Sequence, residues 1–272
     1  MQVNTNLNAI YASNSLRSVS TQISDSVKRI STGQKLSIDD PASIGMGARL
    51  KAQIAATAQI NQGVNVGIGM AQAMDAGLSQ VQDILSNMYE IAASSNNNYA
   101  EDTVLAANDM AYQALLTDIT TIKQASAFWG TDTKLLADDA GVDFILSEDG
   151  STTFTLKTYD LSDAAVITAV GDVTSTANAQ TAMDALQADM QTIAGYQAEV
   201  GAALKTFDSQ LSLNNGVTAG LSTAYSQVTS VDLASETAKL ASDQIRQNAA
   251  AAMFAQSNTM SREVVSYLLK GL

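Results

Sequence analysis

Apolar positions recur at helical spacing over most of this chain. Leu16, Ile23 and Ile30 fall seven residues apart, Val19 and Val27 lie between them, and Leu7, Ile10 and Tyr11 carry the stripe toward the N-terminus. Such a repeat predicts an amphipathic helix that offers a seam to a partner. It stops at Ser31-Thr32-Gly33, where Gly33 suits the left-handed turn that closes a helix. Asp40-Pro41 reads as a new start: Asp40 is the N-cap, and Pro41 takes the first helical position, where no N–H is needed. A second helix is expected over about 41–93. Its second half carries the broad apolar face Leu78, Val81, Ile84, Leu85, Met88 and Ile91, while its first half is rich in Ala and Gly (Gly63, Gly67, Gly69). That composition leaves two outcomes open, close backbone approach or a frayed helix. A third helix is expected over about 101–127, with Leu105, Tyr112 and Ile119, and Leu115 and Ile122, in step.

The pattern changes at Phe128-Trp129-Gly130. Val142–Leu146 and Thr152–Tyr159 are short β-prone runs joined by Ser147-Glu148-Asp149-Gly150-Ser151, and they predict a hairpin. From about Ala177 the helical period returns. Met183, Leu186, Met190, Ile193, Gln197, Val200, Leu204, Phe207 and Leu211 step by alternating threes and fours, and Leu186, Ile193, Val200 and Phe207 mark the rod core. Leu213-Asn214-Asn215-Gly216 is a candidate interruption, yet Leu221, Tyr225 and Val228 resume in nearly the same register. A last helix follows Asp232 and carries Leu233, Leu240, Phe254, Met260, Val264 and Leu268. The expected fold is mainly α: an elongated antiparallel coiled-coil bundle with a small β-hairpin insert, the two termini forming a helical pair. Residues 1–40 with 229–272 would form a terminal coiled coil. Residues 41–127 with 177–228 would form a helical rod, and 128–176 a short variable insert.

Composition narrows what such a molecule does. The chain has no histidine and no cysteine. That removes the usual general base, the imidazole and thiolate metal ligands, thiol nucleophiles and disulfides. The net charge of −13 argues against nucleic acid, which needs a basic stripe. The charge is also unevenly placed. Residues 1–40 hold four basic and three acidic side chains, and 232–272 hold four of each, so the segment between them carries −14. Near-neutral ends can come together without repulsion, whereas an acidic middle stays in water. The N-terminal stretch lacks the basic and apolar regions of a cleaved signal peptide. No run of eighteen apolar residues is present to span a membrane.

The motifs at both ends resemble those of one family. Val3-Asn4-Thr5-Asn6 with Ala9, Arg29-Ile30-Ser31-Thr32-Gly33-Gln34-Lys35-Leu36 and Ile38-Asp39-Asp40-Pro41-Ala42 resemble the amino half of bacterial flagellin. So does Phe128-Trp129-Gly130 with Leu135-Leu136. Val231-Asp232-Leu233-Ala234-Ser235-Glu236, Ala255-Gln256-Ser257-Asn258 and Leu268-Leu269 resemble its carboxyl half. No single tetrapeptide is specific, but seven in order at both ends are. Gln197 and Thr206 depart from the family pattern, which commonly has arginines around the pair now at Gly201-Ala202. Tyr89 stands where versions read by the animal innate flagellin receptor carry Arg, and a Tyr lacks that planar cation. The resemblance implies a structural subunit of the extracellular flagellar filament, exported through the type III pathway without a cleaved signal. It also implies a homopolymer, with an export chaperone, a filament cap and hook-junction proteins as partners.

Other readings of single features are plainer. The pairs Asp39-Asp40 and Asp138-Asp139 read as a helix cap and a solvated loop before a metal site. The glycines near 63–69 follow no strand and precede no Lys-Ser, so they do not form a nucleotide loop. Trp129 reads as packing a helix–sheet junction before stacking on a sugar. No catalytic residue, cofactor or metal ligand is expected. The expected assembly interface is Leu7, Ile10, Leu16, Ile23, Val27 and Ile30 with Leu233, Leu240, Phe254, Met260, Val264 and Leu268. The entropy of ordering forty residues exceeds what one such stripe offsets against one partner, so the ends are expected to need several neighbours. The competing readings are a hook–filament junction protein and a flagellin-like surface protein that binds polysaccharide.

Overall fold

The computed structural model describes residues 6–97, 101–126, 135–137, 139–161 and 171–270; within 261–270 only the side chain of residue 263 is described. Trp129, Phe128 and Asp138 lie outside the described residues. Among the described residues five helices and one hairpin follow in order: α1 Leu7–Thr32, α2 Pro41–Ser95, α3 Asp102–Ala125, β1 Val142–Ile145, β2 Thr153–Leu156, α4 Thr176–Thr229 and α5 Leu233–Lys270. The helix ends follow local chemistry. Asn6 caps α1, its side chain accepting the Ala9 N–H at 3.0 Å. Gly33 closes α1 at φ +67°, a conformation that disfavours a side chain, and its N–H donates to the Arg29 carbonyl at 2.8 Å. Asp40 accepts the Ser43 N–H at 3.1 Å and so opens α2, with Pro41 in the first turn. The hairpin pairs antiparallel with Val142 opposite Leu156 and Ile145 opposite Thr153.

The chain divides into two compact units, one of residues 1–52 with 220–272 and one of residues 53–219. The boundaries fall inside α2 and α4. In the second unit, α2 buries Val64, Ala71, Met74, Leu78, Val81, Leu85, Met88 and Ala92. With Gly67 these fill every three-and-four step of a heptad seam. On α4 the steps are Ala179, Ala182, Leu186, Asp189, Ile193, Tyr196, Val200, Ala203 and Phe207. Leu186, Ile193, Val200 and Phe207 are at most 1% exposed, and Met183, Met190 and Leu204 flank them half-buried. Tyr112 and Ile119 of α3 and Phe144 and Leu156 of the hairpin complete this core.

The glycine-rich half of α2 is a close approach, not a frayed end. The Phe207 ring lies over Gly67, where an added Cβ would stand 2.7 Å from Cζ. Phe144 and Phe154 meet the same ring edge-on, with centroids 5.3 Å and 5.0 Å away. The Asn214-Asn215-Gly216 stretch does not interrupt α4. Asn214 is buried and donates to Asn61 at 2.9 Å while accepting from Gln210 at 2.8 Å, so its polar side chain is used within the unit. Tyr89 is half-buried against the core. No helix among the described residues is long and apolar enough to cross a membrane.

Candidate assembly interface

The first unit is built on α1 and α5, which pack against each other. On α5 the positions withdrawn from solvent are Glu236, Leu240, Asp243, Gln247, Ala250, Phe254 and Ser257, alternating steps of four and three. On α1 the matching series is Ala9, Ala12, Leu16, Val19, Ile23, Ser26 and Ile30. Both are coiled-coil seams, but α1 brings four large apolar residues, Leu16, Val19, Ile23 and Ile30, and α5 only two, Leu240 and Phe254. Val19 is the one buried large hydrophobic residue of this unit among the described residues. The other fully withdrawn side chains are polar: Ser26, Arg29, Thr229, Glu236 and Asp243.

These polar groups answer one another. The Glu236 carboxylate accepts Ser26 Oγ–H at 2.6 Å and Arg29 Nε–H at 2.8 Å. Arg29 Nη1 donates to both oxygens of Asp39 at 2.8 and 2.9 Å. One guanidinium therefore ties α1, α5 and the segment between α1 and α2. The Ser26 hydroxyl and then Arg29 hold the Glu236 carboxyl below its ordinary range, against burial that pushes it up. For Asp39 burial acts upward, and the hydrogen bond from Arg29 leads the opposing causes, leaving the carboxyl lowered. Backbone pairing reinforces the joint: Lys35 N–H donates to Thr229 O at 2.8 Å and Val231 N–H to Gly33 O at 3.1 Å. At the far end Asn6 Nδ2–H donates to Ser257 O at 2.9 Å, and Ser257 Oγ–H to Asn6 Oδ1 at 3.1 Å. Asp243 is fully buried; one of its oxygens accepts from Arg246, and the other lacks a partner, as does Gln22 Oε1.

The outer surface reverses the usual arrangement. Ile245 is 70% exposed, Met253 66%, Leu7 57% and Val27 50%. Of the residues expected to form the interface, Leu16, Ile23, Ile30, Leu240 and Phe254 sit half-buried in the seam. Leu7, Ile10, Val27, Leu233 and Met260 face solvent. Val264 and Leu268 lie on α5, with side chains outside those described. Periodicity missed Arg29, Glu236 and Asp243, because it follows apolar residues; the seven-residue step from Glu236 to Asp243 was the available signal. It also passed over Ile245 and Met253.

Little here resembles a reaction centre. A cleft of about 380 Å³ in the second unit is lined by Ala73, Gly77, Ile122, Leu136 and other residues without a charged group. Among the described residues no three acidic side chains gather to hold a metal. Asp39 and Asp40, adjacent in sequence, are occupied separately by Arg29 and by Ser43.

Comparison with known proteins agrees in both halves of the chain. Residues 3–139 match the bacterial flagellin N-terminal helical region, and residues 175–268 match the bacterial flagellin C-terminal helical region. A flagellin of Halalkalibacterium halodurans is 28% identical, over 98% of this chain and 100% of the relative. The flagellar filament 30.7 kDa core protein of Treponema maltophilum is 22% identical over the same shares. Among solved structures, Bacillus cereus flagellin superposes with a TM-score of 0.51 at 22% identity, covering 56% of this chain and 88% of that one. A putative flagellar hook-associated protein from Vibrio parahaemolyticus gives 0.61 at 13% identity, covering 71% and 100%. At these identities the two structures speak for the fold alone.

Proposed function

The chain belongs to the bacterial flagellin family, and from that premise we propose that the α1–α5 pair is the surface through which its copies join. The protein is a structural subunit of the extracellular flagellar filament, not an enzyme, and it assembles with itself. The observation that carries the proposal is the reversed first unit. Its seam is largely small or polar, while ten of its large hydrophobic side chains are exposed in the single chain. Burying each such side chain stabilises by about 2 kcal/mol, so a structure that covers them is strongly favoured over the lone pair. Copies of the same pair suit the role, because the unit has ten basic residues against seven acidic, a charge of only +3. The second unit has four against twenty, a charge of −16, and is better kept in water than packed against itself.

On this reading residues 1–40 and 229–272 form the inner core of the filament. Residues 41–127 and 177–228 form the next layer, and 128–176 face outward. The exposed side chains Leu7, Ile10, Val27, Leu233 and Met260 contact neighbouring copies, and Val264 and Leu268 belong to the same proposed interface. The seam residues Leu16, Ile23, Ile30, Leu240 and Phe254 hold the pair together, and Leu186, Ile193, Val200 and Phe207 hold the rod. The subunit leaves the cell by the flagellar type III route, attended by an export chaperone, and adds beneath a filament cap beyond hook-junction proteins. Electron microscopy of purified protein given short filament seeds tests the reading. Elongation of the seeds is expected; a subunit that never elongates them at any concentration contradicts it and favours a junction role.

A further inference from the structure

The α1–α5 seam presents a problem that its apolar residues do not solve. On α1 an apolar residue returns every seven positions as Ala9, Leu16, Ile23 and Ile30. On α5 the large seam residues Leu240 and Phe254 are two heptads apart, with Gln247 between them. In the antiparallel pair a one-heptad slip that brings Leu240 to Ile30 brings Phe254 to Leu16, both members of the same α1 series, whereas the opposite slip brings Leu240 to Leu16 and carries Phe254 past the start of α1. Apolar matching therefore discriminates poorly between the observed register and the slip that pairs Phe254 with Leu16.

The polar layer does discriminate. In the observed register Glu236 meets Ser26 and Arg29, and Asn6 meets Ser257. Slide α5 so that Ala250 takes the place of Ser257, and Glu236 moves to the layer of Val19 and Gln22, where no cation stands. Slide it the other way, and Glu236 passes the end of α1 at Thr32. Each slip separates a carboxylate from its guanidinium, and the first leaves it buried and uncompensated. Arg29 cannot readily follow, because both Asp39 oxygens hold it from the segment after α1. The next layer is weaker as a selector: Asp243 has one oxygen without a partner even in the observed register.

We infer that Arg29 and Glu236, anchored by Asp39, are the residues that choose the register of the α1–α5 pair, and so the specificity-determining pair for assembly of identical copies. Repeating contacts between copies need every copy to present the same exposed face. A one-heptad slip displaces Ile245 and Met253 along α1 by about 10 Å, from a rise of 1.5 Å per residue. The inference rests on the assembly reading for its consequence but not for its measurement.

The absence of cysteine makes cross-linking decisive. Asn6→Cys with Ser257→Cys reports the observed register, and Ser13→Cys with Ser257→Cys reports the slip that sets Phe254 on Leu16. Both pairs are placed in the full chain and oxidised, as free subunits and in seeded filaments. With Arg29 and Glu236 intact, the first pair should close at least about tenfold more than the second. In an Arg29→Met, Glu236→Leu background the ratio should fall to about one, and in Glu236→Gln, which keeps an acceptor for Ser26, to between the two. An unchanged ratio overturns the inference. Loss of both cross-links overturns it too, because the pair would then order the helices without choosing their alignment. Failure of the unsubstituted chain to elongate seeds strikes the assembly reading instead, and the ratio in free subunits still reads the register.

Discussion

The two units of this chain bury opposite kinds of side chain. The unit of residues 53–219 closes over Met74, Leu78, Leu85, Leu186, Ile193 and Phe207, all fully buried. The unit of residues 1–52 and 220–272 encloses Ser26, Arg29, Glu236 and Asp243, and leaves Leu7, Ile10, Ile245 and Met253 in solvent. Both are helical and both follow a heptad period, so secondary structure does not distinguish them. Apolar burial does. The first arrangement is sufficient within one chain, whereas the second leaves large hydrophobic side chains uncovered, which on the proposed reading are covered by copies. Local stability tracks buried apolar contact, so the terminal unit is the one that opens first in a free subunit.

The comparison can be broken at its strongest point first. Phe207→Ala removes a ring packed on Gly67, Phe144 and Phe154, and should cost the second unit about 4 kcal/mol. Calorimetry should show a lower melting transition for that unit while amide exchange in α1 and α5 stays unchanged. Equal loss in both units would mean that they are not separately stable. Glu236→Ala is the corresponding cut in the terminal unit: it leaves Arg29 without its α5 partner, at a cost of roughly 3 kcal/mol to the α1–α5 pair. Here the helical signal of the ends should fall and the calorimetric transition of the second unit should not move.

Ile245→Ser separates folding from assembly. The side chain is 70% exposed, so stability of the single chain should change by less than about 0.5 kcal/mol. The critical concentration for seeded growth should nevertheless rise about tenfold, because on the proposed reading assembly buries that side chain. Acid gives the smallest and most graded effect. The Glu236 and Asp39 carboxyls both lie below their ordinary range in the folded state. Their contribution is therefore complete above the unfolded values near pH 4, and is lost as pH falls through the lower folded values. Circular dichroism below about pH 4 should show α1 and α5 melting at a higher pH than the second unit. Simultaneous melting would mean that the clasp does not govern the ends.

Much of this difference is visible in the residues themselves. Leu186, Ile193, Val200 and Phe207 repeat without a break and are at most 1% exposed, whereas Met183, Met190 and Leu204, expected on the same seam, stand beside it half-buried. Gly33 and Asp40-Pro41 announce the end of α1 and the start of α2, because each depends on backbone conformation at one site. The Arg29–Glu236 pair is not visible in the same way. Its partners stand 207 residues apart, and a search for apolar periods passes over charged residues on a seam. Nor does Asn214 show that it continues a helix, since the reason is a hydrogen bond to Asn61 on another element. Likewise, periodicity places Leu7 and Leu16 on one stripe, although one is exposed and the other half-buried. Exposure depends on the partner helix, and the partner is far away in the chain.

Hydrogen exchange measured residue by residue, on free subunits and on seeded filaments of the same protein, tests the central contrast most directly. The account predicts weak protection of α1 and α5 amides in the free subunit and strong protection in the filament. Amides of α2 near Leu78–Met88 and of α4 near Leu186–Phe207 should be protected in both. Strong protection of α1 and α5 in the free subunit, at the level of α4, would show that the terminal pair is already complete within one chain and would contradict the account.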